Sequence, residues 1–185
     1  MFLKRFLICL LFAVISILHL DAQIQRRFFG YSFGSSKQAV LQGMKGKGYA
    51  IQNTSEGFMA IGSISEPIVF GGYAWEWVNF KFNNNKLFDV SFCITTETSS
   101  SQIIIQNYIQ LTRKLDDKYA QLGRDYYNEQ NIQWFDSHTG VICRYMYIDS
   151  DNNIVNYPTK KLNMYLWYYD IDESNIKRVN DETEL

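Results

Sequence analysis

Two alternating apolar runs face each other across three asparagines, and no other feature constrains the fold as much. Trp75 to Phe82 and Leu87 to Ile94 flank Asn83-Asn84-Asn85. Period-two alternation marks a half-buried strand, and Asn tolerates the left-handed backbone that a tight turn needs. An antiparallel hairpin is expected, and its register follows from which side chains must share a face. Val78, Phe80 and Phe82 belong with Phe88, Val90 and Phe92. A two- or four-residue loop sets Phe80 opposite Asp89, on the wrong face. A three-residue loop with Asn85 left-handed sets Phe80 opposite Phe88 and Val78 opposite Val90. Gly57 to Ile61, Asn131 to Asp136, Gly140 to Ile148 and Leu162 to Asp170 also read as strands, with a polar loop from Asp149 to Lys161.

Two helices interrupt the strands. Ser35-Ser36-Lys37-Gln38 has a serine followed three residues later by glutamine, a capping box; Val40, Leu41 and Met44 supply an apolar side, and Gly46 and Gly48 end it. Ser99-Ser100-Ser101-Gln102 opens the second in the same way. Ile104, Tyr108, Leu111, Leu115, Tyr119 and Leu122 then recur at helical spacing as one stripe, stopped by Gly123. SSKQAVLQGM and SSSQIIIQNY match at both serines and both glutamines, and strand-like runs follow each. The pattern reads as an internal duplication. The expected fold is α+β: two tandem helix-plus-antiparallel-sheet units, each helix packed on one sheet face. Residues 23–98 form the first unit and 99–171 the second. Residues 172–185, charged and without aromatics, read as a flexible tail.

Residues 1–22 read as a signal peptide. Lys4 and Arg5 precede an apolar core, Phe6 to Leu18, that is short for a membrane span, and cleavage after Ala22 leaves no stable membrane anchor. Ile8 stands before Cys9 where a lipidated cysteine needs a small residue. The expected compartment is periplasmic or secreted. Losing Lys4, Arg5 and Asp21 moves the formal charge from −1 to −2. That near balance excludes the basic footprint of a nucleic-acid binder. Export permits a disulfide between Cys93 and Cys143, and two buried thiols are the alternative.

Several catalytic and metal motifs are matched only in part. Gly30-Tyr31-Ser32-Phe33-Gly34 fits the G-x-S-x-G of a nucleophile elbow, with Asp125, Asp136 and His138 following in hydrolase order. The β-α alternation of a hydrolase is absent, so a small serine hydrolase using Ser32 ranks last. Asp149-Ser150-Asp151-Asn152-Asn153 begins like a calcium loop, but Ile154 and Lys160 stand where glycine and glutamate belong. One mature histidine and two distant cysteines give no zinc set. The hairpin register puts Glu76 and Asp89 on opposite faces, which removes a glycosidase pair. Asn53-Thr54-Ser55 is a glycosylation sequon with meaning only in a eukaryotic secretory pathway. No enzyme, metal or cofactor is expected.

The aromatics remain. Tyr73, Trp75 and Trp77 fall opposite Val78 and Phe80, and Tyr165, Trp167 and Tyr169 share one face of the last strand. Tyr and Trp in this display suit a protein interface, and they also suit stacking on sugar rings. These six residues are the candidate partner-binding set, with a protein partner first and a glycan second. The alternative is that both sheet faces are internal.

This order of elements resembles the β-lactamase-inhibitor-protein-like architecture, a capped helix followed by an antiparallel sheet, duplicated in an exported chain. The likeness rests on Phe33 to Gln38 with its helix, the Trp75 to Ile94 hairpin, and Ser99 to Asp170. It is similar in style to exported proteins of Bacteroidetes-type bacteria. The resemblance implies a non-enzymatic, inhibitor-like or envelope-associated module that binds protein through an aromatic sheet surface.

Overall fold

The computed structural model describes residues 23–63, 65–97, 101–128, 130–151, 154–155, 159 and 161–183. Residues 1–22, expected to be a signal peptide, therefore lie outside the described residues. So do Ser99 and Ser100 of the second capping box, and Asn152 and Asn153 of the calcium-like loop.

One antiparallel sheet dominates. Its strands are β3 (Ala50–Asn53), β4 (Gly57–Ile61), β7 (Trp77–Asn83), β8 (Lys86–Glu97), β9 (Gly123–Asn128), β10 (Asn131–Phe135), β11 (Thr139–Ile148), β12 (Ile154–Val155) and β13 (Lys161–Asp170). Their spatial order is β3-β4-β7-β8-β13-β11-β10-β9, with β12 paired to β11. Two short ribbons stand apart, β1 (Arg27–Phe28) with β2 (Tyr31–Ser32), and β5 (Ile68–Phe70) with β6 (Tyr73–Trp75). Three helices occur among the described residues: α1 (Lys37–Gly46), α2 (Ser101–Lys118) and α3 (Ile171–Thr183).

The expected pair of tandem units, each with its own helix-covered sheet, is not what the chain adopts. The fold is mostly antiparallel β with a single nine-stranded sheet. The cause lies in two long central strands. β8 and β13 pair from Lys161↔Glu97 through Tyr169↔Asp89, so no edge is left where one unit was to end and the next to begin. Two separate sheets would have left each of these strands with a row of unpaired backbone groups. Most of the segment 172–185, read as a flexible tail, carries α3 instead. Asp170 caps this helix by accepting from Glu173 N at 3.1 Å, and acidic Asp172 and Glu173 occupy its first turn, where the helix dipole favours them.

The core lies on one face of the sheet. Val40 and Met44 of α1, and Ile104, Tyr108, Leu111 and Leu115 of α2, pack onto Phe58, Phe80, Val90, Phe92, Val141, Leu166 and Tyr168. The stripe expected on α2 is the buried one, and Tyr119 just beyond the helix continues it at 1 % exposure. Each such side chain contributes about 1.5–3 kcal/mol. The two ribbons cover the same face. Phe28 packs within 5.0–6.4 Å of Phe33, Phe70, Phe92 and Tyr168, and Phe70 stacks on Phe92 at 4.2 Å.

The central hairpin departs from its expected register. The turn has two residues, Asn84 and Asn85, with φ of 46° and 64°, and Asn83 pairs with Lys86. A bulge between Lys81 and Phe82 then takes up one residue of β8. Phe82 faces Leu87, Lys81 faces Asp89, Phe80 faces Val90 and Val78 faces Phe92. Phe88 is buried but belongs to no part of the main core cluster. Next to the bulge, the outer backbone groups of Leu87 pair with the chain leading into α1: Gly34 N donates to Leu87 O at 2.8 Å, and Leu87 N donates to Ser35 O at 2.9 Å. The α1 cap sits one residue later than expected. Ser36, not Ser35, accepts from Ala39 N at 3.4 Å, so Gln38 does not close a capping box.

Candidate functional site

Opposite the helices, the sheet shows a face of rings and polar groups. Register fixes its members. Trp77, Cys93, Tyr165 and Arg144 form one row across β7, β8, β13 and β11; Asn79, Ser91, Trp167, Ile142 and Gln133 form the next; Lys81, Asp89, Tyr169 and Gly140 form the third. Alternation along each strand points these side chains away from the core.

Four of the six expected aromatics, Trp77, Tyr165, Trp167 and Tyr169, share this face, each partly exposed. Tyr73 and Trp75 do not join them. A bend at Glu76 separates β6 from β7: Glu76 N bonds Cys93 O at 2.9 Å, and its carbonyl accepts from Gly62 N. The alternation therefore restarts at Trp77, and parity counted from Val78 does not reach Trp75. Trp75 is 1 % exposed in the core, 5.6 Å from Phe92, with its indole N–H donating to Phe70 O. Tyr73 lies beside α2, with Lys114 4.8 Å above its ring.

The face has internal order. Trp77 meets Tyr165 edge-on at 5.9 Å, and Trp167 is tilted against Tyr169 at 5.6 Å. The Arg144 guanidinium lies 5.6 Å from the Tyr165 ring and 5.7 Å from the Trp167 ring. Tyr169 accepts from Gln133 Nε2 at 2.6 Å, and its ring occupies the space that a Cβ at Gly140 would need. Gly140 is thus required by a close approach. Asn163 Nδ2 donates to Tyr165 Oη at 2.9 Å. The Tyr165 hydroxyl is pushed up to about 12, by burial first and then by the Cys93 thiol.

Asp89 is the unusual member. It is 2 % exposed, accepts from Trp167 Nε1 at 2.7 Å through Oδ2, and leaves Oδ1 buried without a partner. Burial raises its carboxyl to about 7, against the opposing pull of Lys81 and the Trp167 bond. Lys81 faces it across the hairpin, but its ammonium is engaged 2.9 Å away by Glu56, which also holds Lys177 of α3 at 3.1 Å. Arg144 Nε is likewise buried and unpartnered. Lys81, Asp89, Ser91, Arg144, Tyr165 and Trp167 line one cleft of about 130 Å³.

The sequence offers Asp89 only as a residue to keep off the Phe80 face and as half of a discarded pair with Glu76, and Glu76 accepts from Thr95 N. Arg144 was not singled out. Its signal is a cation in the interior of the run GVICRYMYI, at a position that alternation assigns to the face away from the core.

The elbow geometry is absent around Ser32. The positive-φ residues of that segment are Phe29, Gly30 and Gly34, whereas Ser32 is an exposed strand residue paired with Arg27. His138 Nδ1 is 3.3 Å from Asp172, and Asp136 is spent on the backbone N–H groups of Ile24, His138 and Thr139. Cys93 and Cys143 are free and buried on opposite faces, with β13 between them. Burial raises both thiols, Cys93 to about 12. No three of His, Cys, Asp and Glu group as a metal site among the described residues.

No family model matches the chain, and no match is found among curated proteins or solved structures.

Proposed function

We propose that this chain is an exported, non-enzymatic binding module that docks a protein partner on the open face of its sheet. The observation that carries the reading is the way Arg144 caps the rings of Tyr165 and Trp167, while Trp77 and Tyr169 meet those rings at 68° and 50°. A sugar stacks on a flat, uncovered ring face. Here the rings are tilted and one cation lies over two of them, which disfavours the glycan reading. Tyr, Trp and Arg around shallow polar clefts are the composition of protein hot spots. Export rests on the basic and apolar leader at residues 1–22.

Site-specific photo-cross-linking tests this. A cross-linker replacing Asn79 on the open face should trap a discrete protein adduct in the native host, and Arg144→Ala should abolish it. The same group replacing exposed Arg113 on α2 should trap none. Equal adducts from both positions, or an adduct indifferent to Arg144, sinks the reading.

A further inference from the structure

Two residues that line the cleft over Trp167 each carry a buried, unsatisfied polar atom, and the two are of opposite kind. Asp89 Oδ1 is an acceptor without a donor, and Arg144 Nε is a donor without an acceptor. Both residues line the same 130 Å³ space, and Asp89 is almost wholly shielded from solvent. Burying such groups unpaired is costly, so a pair of them in a ligand-sized cleft marks a place where a guest completes the bonding. An engineered apolar cavity of about 150 Å³ holds benzene, so this space suits one side-chain head group.

Four classes of guest can be compared. An apolar side chain leaves both groups unpaired. A carboxylate brings a second anion to Asp89. An ammonium or guanidinium meets Arg144, which has no carboxylate within 4 Å among the described residues, and also Lys81. A neutral amide carries both a donor and an acceptor, and it adds no charge. We infer that the Asp89–Arg144 cleft is a subsite for an asparagine or glutamine residue of the docked polypeptide. Its NH₂ donates to Asp89 Oδ1 and its carbonyl oxygen accepts from Arg144 Nε. Trp167 supplies the wall and, through its bond to Asp89 Oδ2, fixes which oxygen is left for the guest. This rests on the protein-binding reading above and gives it a sequence preference.

The test uses the full chain and capped peptides Ser-Gly-X-Gly-Ser, where X is Gln, Asn, Glu, Lys or Leu, with chitotriose as the sugar arm. The readouts are the indole N–H resonances of Trp167 and Trp77 at pH 8. The Gln and Asn peptides should move the Trp167 signal saturably and bind about tenfold tighter than the Leu or Glu peptides, the worth of one hydrogen bond to a charged group. Asp89→Asn offers an NH₂ where Oδ1 stood, so it should reverse the preference from Gln to Glu. Arg144→Met, which keeps the stem, should remove discrimination by the wild-type chain. Equal binding of Gln and Leu peptides, or no reversal in Asp89→Asn, overturns the subsite. If Trp77 still shifts with every peptide, protein docking survives that loss. Shifts with chitotriose and none with any peptide overturn both.

Discussion

The same strands present two different surfaces. Toward the helices, β4, β7, β8, β13 and β11 contribute Phe58, Val78, Phe80, Val90, Phe92, Leu166, Tyr168 and Val141, each at most 3 % exposed. On the opposite face the alternate positions of those strands carry Trp77, Lys81, Asp89, Ser91, Tyr165, Trp167 and Arg144. The first face is closed by α1, α2 and the two ribbons, and its energetics are those of packing. The second is held by hydrogen bonds and ring contacts, and several of its buried polar atoms, among them Asn79 Oδ1, Asp89 Oδ1 and Arg144 Nε, lack partners. The contrast separates what packing closes in this fold from what polar and ring contacts leave open. Packing on one side fixes the strands, and the other side then holds polar groups in fixed positions, some without a partner in the chain.

Four measurements bear on that separation. The largest effect is expected from Trp75→Ala, a cavity in the covered core, at about 3–5 kcal/mol in urea unfolding. Trp77→Ala, on the open face, should lose less than half of this. Equal losses would mean that the open face is as much core as the other.

Next comes Asp89. Between the usual 3.8 and about 7, the folded chain keeps a proton that the unfolded chain has released. Stability should therefore fall as pH rises through that window and level off above it, by at most about 4 kcal/mol. Asp89→Asn should flatten the profile, so that it exceeds wild type at pH 8 and matches it near pH 4. A parallel pair of profiles would show that Asp89 is not held in a dry setting.

Gly140→Ala should cost about 1–3 kcal/mol because the new Cβ meets the Tyr169 ring. Adding Tyr169→Ala should recover most of it, and no recovery would show that the ring does not lie over β11. The smallest effect belongs to Lys177→Ala, which removes one of the two half-buried partners of Glu56. A loss of about 1 kcal/mol or less is expected, shrinking with added salt.

The amphipathic elements were legible in the sequence because a solvent face and a core face leave a period. The α2 stripe and the strands around Gly57, Asn131, Thr139 and Lys161 follow from it. What escaped has identifiable causes. Alternation places Trp77 and the rings of the last strand on the open face, but counting on through Glu76, where the backbone bends and parity is lost, misplaces Tyr73 and Trp75. In an unbroken register the two-residue Asn84-Asn85 turn sets Phe80 against Asp89, a conflict that the bulge removes without leaving any periodic trace. Tandem units were inferred from two similar helix starts, while the pairing of β8 with β13 depends on contacts between distant segments that local pattern does not carry. Asp89 and Arg144 each look like an ordinary charged residue in an alternating strand, and only the cross-strand register brings them to one cleft.

Phe88, the extra residue at the bulge, acts on β8 as a one-step phase change acts on a two-beat signal. Before it, the strand is in step with the Asn84-Asn85 turn; after it, every side chain has exchanged faces. Without it, Asp89 would be directed at Phe80 and the helices, and Val90 and Phe92 would point outward. The match of β8 to β7 thus depends on a local insertion as well as on the composition of the strand. Single-residue changes in length between Asn83 and Asp89 are therefore far more disruptive than most substitutions there, because they invert what the sheet buries and what it displays.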